Sequence, residues 1–209
     1  MTTTRGKFVV FEGLDGAGTS TQITRLRDWL VERGERVETS REPSDGPIGL
    51  LIRQALGHRL DIDPATLALL FAADRTDHLF NATDGVVRTL ESGAWVLTDR
   101  YVLSSLAYQA TTGLPPEWVA QINARAIEPD LTIFIDTPVD VCVARIDGRS
   151  SRDELFHKRD FLARTAAEYD RILTHSRLTG HLLRLPGDAP PDTVAAEITR
   201  GIEAWLAGK

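Results

Sequence analysis

Apolar residues cluster in short runs along the chain, and between the runs they recur every three or four positions. Five runs, over residues 7–11, 36–40, 95–98, 131–135 and 181–185, predict β-strands. Their Val, Ile, Leu and Phe content suits strands buried on both faces of a parallel sheet. Ile23, Leu26 and Leu30 form one helical stripe, and Gly34 stands where a C-terminal cap belongs. Asp63 followed by Pro64 pairs an N-cap with a favoured first helical residue and predicts a helix through Phe80. A shorter helix starts at Asp84 and stops near Gly93, and Thr137-Pro138 repeats the cap-plus-proline signal for a helix to about Arg145. The periodicity lapses from Ile146 to Leu155, returns over 158–176, and recurs in a last helix over 191–207. Alternating strands and helices predict a three-layer α/β/α fold with a five-stranded parallel sheet. Nothing reads as a linker, so residues 1–209 are expected to form a single domain.

Charge and cysteine content narrow the picture. The 209 residues carry 24 Lys and Arg against 30 Asp and Glu, a net charge of −6. A field of that sign does not favour a nucleic-acid polymer, although a small anion can still find a local basic pocket. Cys142 is the only cysteine, which excludes an internal disulfide and a cysteine metal cluster. Its neighbours Val141 and Val143 predict a buried thiol. The polar stretch 1–7 is unlike a signal peptide, and no apolar run reaches membrane-spanning length. A cytoplasmic protein without a membrane partner is expected.

The densest chemistry lies where the first strand meets the first helix. Gly13, Leu14, Asp15, Gly16, Ala17, Gly18, Thr19, Ser20 and Thr21 fit the phosphate-binding pattern G-x-x-x-x-G-K-[ST], with Thr19 in place of lysine. Backbone N–H groups and the positive end of the following helix can cradle a triphosphate without side chains. Ser20 has the type and position of an Mg2+ ligand. Asp99 ends an apolar strand, where open parallel sheets place their ligand crevice. Guanidinium groups suit phosphates. Arg41, Arg53, Arg75 and Arg100 precede the middle of the chain, and Arg145, Arg149 and Arg152 flank or occupy the aperiodic break. That break, about 146–155, has the composition of a short lid. Phe71 and Arg75, one helical turn apart, can stack on a base and bond its edge. Each feature has a plainer alternative: a packing turn, a surface ion pair, a solvated arginine or a core phenylalanine.

Taken together, these stretches resemble the thymidylate kinases among the P-loop nucleoside monophosphate kinases. The resemblance rests on Phe11-Glu-Gly-Leu-Asp-Gly-Ala-Gly18, Arg41-Glu42-Pro43, Leu70-Phe71-Ala72-Ala73-Asp74-Arg75, Asp99-Arg100-Tyr101, Ser104-Ser105, Ala107-Tyr108-Gln109 and Pro129-Asp130-Leu131. It implies transfer of a phosphoryl group from ATP, with Mg2+, to dTMP, giving dTDP and ADP for dTTP synthesis. A homodimer is also implied. Asp15 would approach the sugar 3′-hydroxyl, and Phe71 would stack on thymine. Arg75, with Gln109 or Ser105, would address the base edge. Arg53 and Arg100 would hold the acceptor phosphate, with Glu42 and Arg41 shaping that end, and Ser104 lies in the same motif. Tyr108 would lie under the sugar and disfavour a 2′-hydroxyl, while Asp99 would act through Mg2+ and its waters. Gly16 after Asp15 resembles the subgroup that draws an arginine from the lid, where Arg149 and Arg152 are available. Two departures stand out: Thr19, and a lid reading Arg152-Asp153-Glu154 where the family has Asp-Arg and then a glutamate two residues later. A nucleotide-binding protein that has lost transfer, or a kinase for another monophosphate, remain alternatives.

Overall fold

The computed structural model describes residues 5–146, 152–175 and 179–208, with the backbone alone for 152–156 and 175. Five parallel strands form one sheet in the order β2-β3-β1-β4-β5: β1 (Phe8–Gly13), β2 (Val37–Arg41), β3 (Trp95–Asp99), β4 (Leu131–Asp136) and β5 (His181–Pro186). β1 is the central strand and buried along its whole length. β3 and β4 flank it in register, Phe11 facing Asp99 on one side and Ile133 on the other.

Helices α1 (Thr19–Val31) and α9 (Pro191–Ala207) pack on each other and on the sheet. A second group contains α2 (Pro47–Leu56), α3 (Pro64–Phe80), α4 (Val86–Glu91), α5 (Val102–Thr111), α6 (Pro116–Ile122), α7 (Val139–Ile146) and α8 (Arg152–His175). Within it α5 packs against α3, α6, α8 and β1. Asp63 caps α3 as its sequence predicts, accepting from Ala65 N at 2.8 Å and Thr66 N at 3.4 Å. The core runs through Phe8, Val10, Phe11, Leu26, Leu30, Leu97, Ile133 and Tyr169, all 1% exposed or less.

Three expectations need correction. β2 and β5 are not central: they are the sheet edges, and most of their residues are partly or fully exposed. Helices α2, α5 and α6 have no counterpart in the sequence pattern, because their start signals are short or lie elsewhere in the chain. The strands also run one or two residues further than their apolar runs, because ladder bonds continue past the last apolar side chain.

Candidate active site

β1 delivers residues 13–18 to the C-terminal edge of the sheet, where the chain turns into α1. Gly16 and Gly18 have φ of 81° and 101°, which L side chains rarely adopt. Gly16 has a second reason to lack a side chain, because a Cβ there would lie 2.6 Å from the Cys142 carbonyl oxygen. Gly18 precedes α1 without a side-chain cap, and the first turn of α1 holds no acidic residue. The leading N–H groups of a helix have no partner within it, so this turn presents donors and a positive dipole end to an anion. Thr19 is buried at 9% exposure. Its hydroxyl adds no cation, so charge at the loop must come from other elements.

Arg145, on α7, donates to the Gly16, Ala17 and Gly187 carbonyls at 3.3, 3.2 and 3.0 Å. It therefore braces the carbonyl side of the loop, opposite the N–H groups that face an anion. Thr137 donates to the Ala17 carbonyl at 3.1 Å from the same direction. A recess of about 150 Å³ adjoins this brace, lined by Gly18, Gln22, Arg145, Ala189 and Pro191. Beside the loop, Ser20 Oγ donates to Asp99 Oδ2 at 2.5 Å, while Asp99 Oδ1 is buried without a hydrogen-bond partner among the described residues.

A cavity of about 540 Å³ opens from the loop between α3, α5 and α8. At the loop end Arg100 donates to Asp15 Oδ1 at 2.7 Å, the Gly13 carbonyl at 3.2 Å and Ser104 Oγ at 3.1 Å. Its guanidinium carbon lies 4.9 Å from the Tyr108 ring centroid. Burial alone would lower the Arg100 pKa, but Tyr108, Tyr169, Asp15 and Glu12 outweigh it and hold the cation above its ordinary value. Burial pushes the Tyr108 phenol up to about 12, with Arg100 opposing, so it stays protonated and accepts from Asp15 N at 3.0 Å. Arg100 also has φ of 72°, rare for a side-chain-bearing residue, and persists there because its surroundings over-determine it.

At the far end Arg75 is 2% exposed. Its Nε and Nη2 donate to Glu42 Oε2 at 2.8 and 2.5 Å, Nη2 also donates to Ser105 Oγ at 3.1 Å, and Nη1 donates to Asn123 Oδ1. A guanidinium has five N–H groups, so one on Nη1 has no partner among the described residues. Gln109 lines the same end with its Oε1 buried and without a partner among the described residues. Phe71, Leu67 and Ile62 supply apolar wall.

Glu12, which the sequence reading leaves without a role, organises the loop end. It is fully buried and accepts from Tyr101 N at 3.0 Å, Ser104 N at 3.2 Å, Ser104 Oγ at 2.6 Å and Tyr169 OH at 2.9 Å. A carboxylate from β1 thus caps α5, whose own N-cap residue Tyr101 supplies no capping side-chain bond. Burial raises the Glu12 pKa, against Ser104, Arg100 and Tyr169, which lower it. Tyr169 and Asn123 were equally invisible in the sequence, because only the fold brings them to their partners.

The structure gathers Asp15, Glu42, Phe71, Arg75, Arg100, Ser104, Ser105, Tyr108 and Gln109 around one cavity. Arg53 is not among its lining residues: it donates to the Pro43 and Ser44 carbonyls and braces the segment after the cis Glu42–Pro43 bond. Glu42, expected to shape the acceptor-phosphate end, pairs with Arg75 at the end of the cavity away from the loop. Arg41 is exposed and paired with Asp45 at 2.6 Å. Of the expected lid, Ile146 ends α7 and the backbone of Arg152 opens α8. Arg149 lies outside the described residues, and so does the Arg152 side chain. Cys142 is buried, and burial pushes its thiol up to about 11, as its apolar neighbours imply.

A five-stranded parallel sheet with a glycine-rich loop after its central strand, and a cavity of small-molecule size beside it, is the P-loop α/β architecture shared by phosphotransferases and nucleotide hydrolases. The thymidylate kinase family model matches residues 11–197. A probable thymidylate kinase of Caldivirga maquilingensis is 41% identical over 165 residues, 78% of this chain and 79% of that protein. Probable thymidylate kinases of Methanobrevibacter smithii and Pyrococcus horikoshii are 42% and 37% identical over 171 and 182 residues. These cover 80% and 85% of this chain, and 81% and 80% of the relatives. The chain belongs to the thymidylate kinase family.

Proposed function

We propose that the protein transfers the γ-phosphoryl group of ATP to dTMP, giving dTDP and ADP. The observation that carries this reading is one cavity that runs from the glycine-rich loop to a buried donor–acceptor pair. Its volume, about 540 Å³, is within the range of about 300–1,000 Å³ typical of small-molecule sites. In this reading the triphosphate lies on residues 13–21 with its base in the recess by Arg145, and the acceptor phosphate meets Arg100. The deoxyribose rests on Tyr108 with its 3′-hydroxyl at Asp15, and the pyrimidine stacks on Phe71.

The far end suits a base with a ring N–H beside a carbonyl. The spare Arg75 N–H donates to the carbonyl, and Gln109 Oε1 accepts from the ring. Cytosine reverses both groups and would leave two buried polar atoms unpaired.

Phosphoryl transfer asks the protein for alignment and charge neutralisation more than covalent chemistry. The attacking oxygen belongs to a phosphate already ionised at neutral pH, so no strong base is needed. Arg100 aligns that phosphate, the loop N–H groups hold the triphosphate, and the lid arginines Arg149 and Arg152 supply the cation that Thr19 does not. Ser20 and Asp99 fit an Mg2+ ion: a hydroxyl and a carboxylate meet beside the loop, and one carboxylate oxygen has bonding capacity to spare. When bound, that ion neutralises charge on the β- and γ-phosphates. No described helix is long and apolar enough to cross a membrane. A cytoplasmic location and a homodimer complete the proposal.

Competition among acceptors tests it by ADP release. We expect kcat/KM to follow dTMP over dUMP by about tenfold, the worth of one methyl group, and dTMP over dCMP by about a hundredfold or more. Equal use of dCMP would refute the assignment of the base end.

A further inference from the structure

The Glu42 carboxylate that orients Arg75 is itself held from behind. It is 4% exposed and gripped on both oxygens. Arg75 takes Oε2, and Oε1 lies 3.3 Å from His78 Nδ1. A carboxylate paired with a guanidinium only accepts, so Nδ1 is the nitrogen that carries the proton on this side. The other ring nitrogen, Nε2, is bonded to the Ser40 hydroxyl, which can donate or accept. His78 follows Arg75 by three positions on α3, so both side chains leave the same helix face toward Glu42. His78 does not line the acceptor cavity; it borders a separate polar cleft of about 620 Å³ behind it.

We propose that His78 is a positioning residue for recognition of the acceptor base. Its Nδ1–H fixes the Glu42 carboxylate, and Glu42 fixes the one Arg75 N–H left free for the base. Without that donor, Oε1 becomes a buried acceptor lacking a partner. The carboxylate then turns to recover a bond and carries Oε2 away from the guanidinium, so Arg75 no longer has one preferred arrangement. The chemical step lies at the opposite end of the cavity, at Arg100 and the anion loop, and does not depend on this contact. The effect therefore falls on acceptor affinity and leaves both kcat and the affinity for ATP in place. This inference rests on the reading of the cavity as the dTMP site.

Two variants of similar size separate the two ring nitrogens. In His78→Asn an amide N–H replaces Nδ1–H, whereas in His78→Gln the amide reaches the Nε2 position and leaves Glu42 Oε1 bare. The readouts are the dTMP Kd by calorimetry and the kcat and KM for both substrates. We expect His78→Asn to stay within about twofold of wild type, and His78→Gln to raise the dTMP Kd and KM about tenfold, the scale of one hydrogen bond to a charged group. For both variants kcat and the KM for ATP stay near wild type. Unchanged dTMP affinity in His78→Gln would overturn the inference, and so would equal losses in both variants or a fall in kcat at constant KM. Wild-type protein that fails to bind dTMP would instead strike down the reading of the cavity, and this inference with it.

Discussion

Glu12 shows how a single side chain connects the strand that makes the anion loop to the helix that lines the acceptor cavity. A fully buried carboxylate is destabilising unless its charge is met, and here four donors and the nearby Arg100 meet it. They do not remove the penalty, because burial still holds its folded-state pKa above the ordinary carboxylate value. A raised acid contributes stability that is present below the unfolded pKa and is lost as pH rises through the folded value. Glu12→Gln keeps the shape and lets Ser104 and Tyr169 turn their hydroxyls to accept. We expect the two proteins to be similarly stable near pH 4, with wild type falling behind Glu12→Gln as pH rises above 4.5 and levelling off beyond the raised folded value. Urea denaturation across that range checks this; a gap that widens toward acid would contradict it. Among individual residues, Phe71 and Arg75 were legible because one helical turn joins them in the sequence. Glu12, Tyr169, His78 and Asn123 were not, since their meaning lies in contacts between distant segments.

Helices divide by the same rule. α3 was legible because its cap, its first-turn proline and its stripe are all local. α5 was not, because its cap arrives from β1. The ten residues of α2 start at a Gly-Pro step with no capping side chain. α2 and α3 pack together and leave apolar surface uncovered: Leu50 on α2 is 53% exposed, and Leu69 and Phe80 on α3 are 49% and 40% exposed. Leu69, Ala73 and Phe80 share one face of α3. Apolar surface grouped on two adjacent helices is what a symmetric partner copy would cover. We expect sedimentation equilibrium to give twice the chain mass, and Leu69→Glu on one face of the pair to shift it toward the monomer. A wild-type monomer at micromolar concentration would contradict the dimer.

For the whole molecule, the alternation of strands and helices was enough to read the layered parallel fold, while the order of strands was not, because edge and centre differ in burial rather than in length. The glycine-rich loop and the cavity lie along the C-terminal edge of the sheet, and the loop carries one departure from the usual pattern, Thr19. The central claim is that loop N–H groups and arginines suffice for transfer without the lysine. Its most direct test follows dTDP formation by the wild-type chain from dTMP and MgATP, alongside thermal stabilisation by the two nucleotides and the same assay on Thr19→Lys. We expect wild type to form dTDP well above background and lysine to raise kcat by about tenfold at most, well short of the 10³-fold or more that a single essential arginine supplies in such enzymes. Stabilisation by both nucleotides with no dTDP until lysine is installed would contradict it.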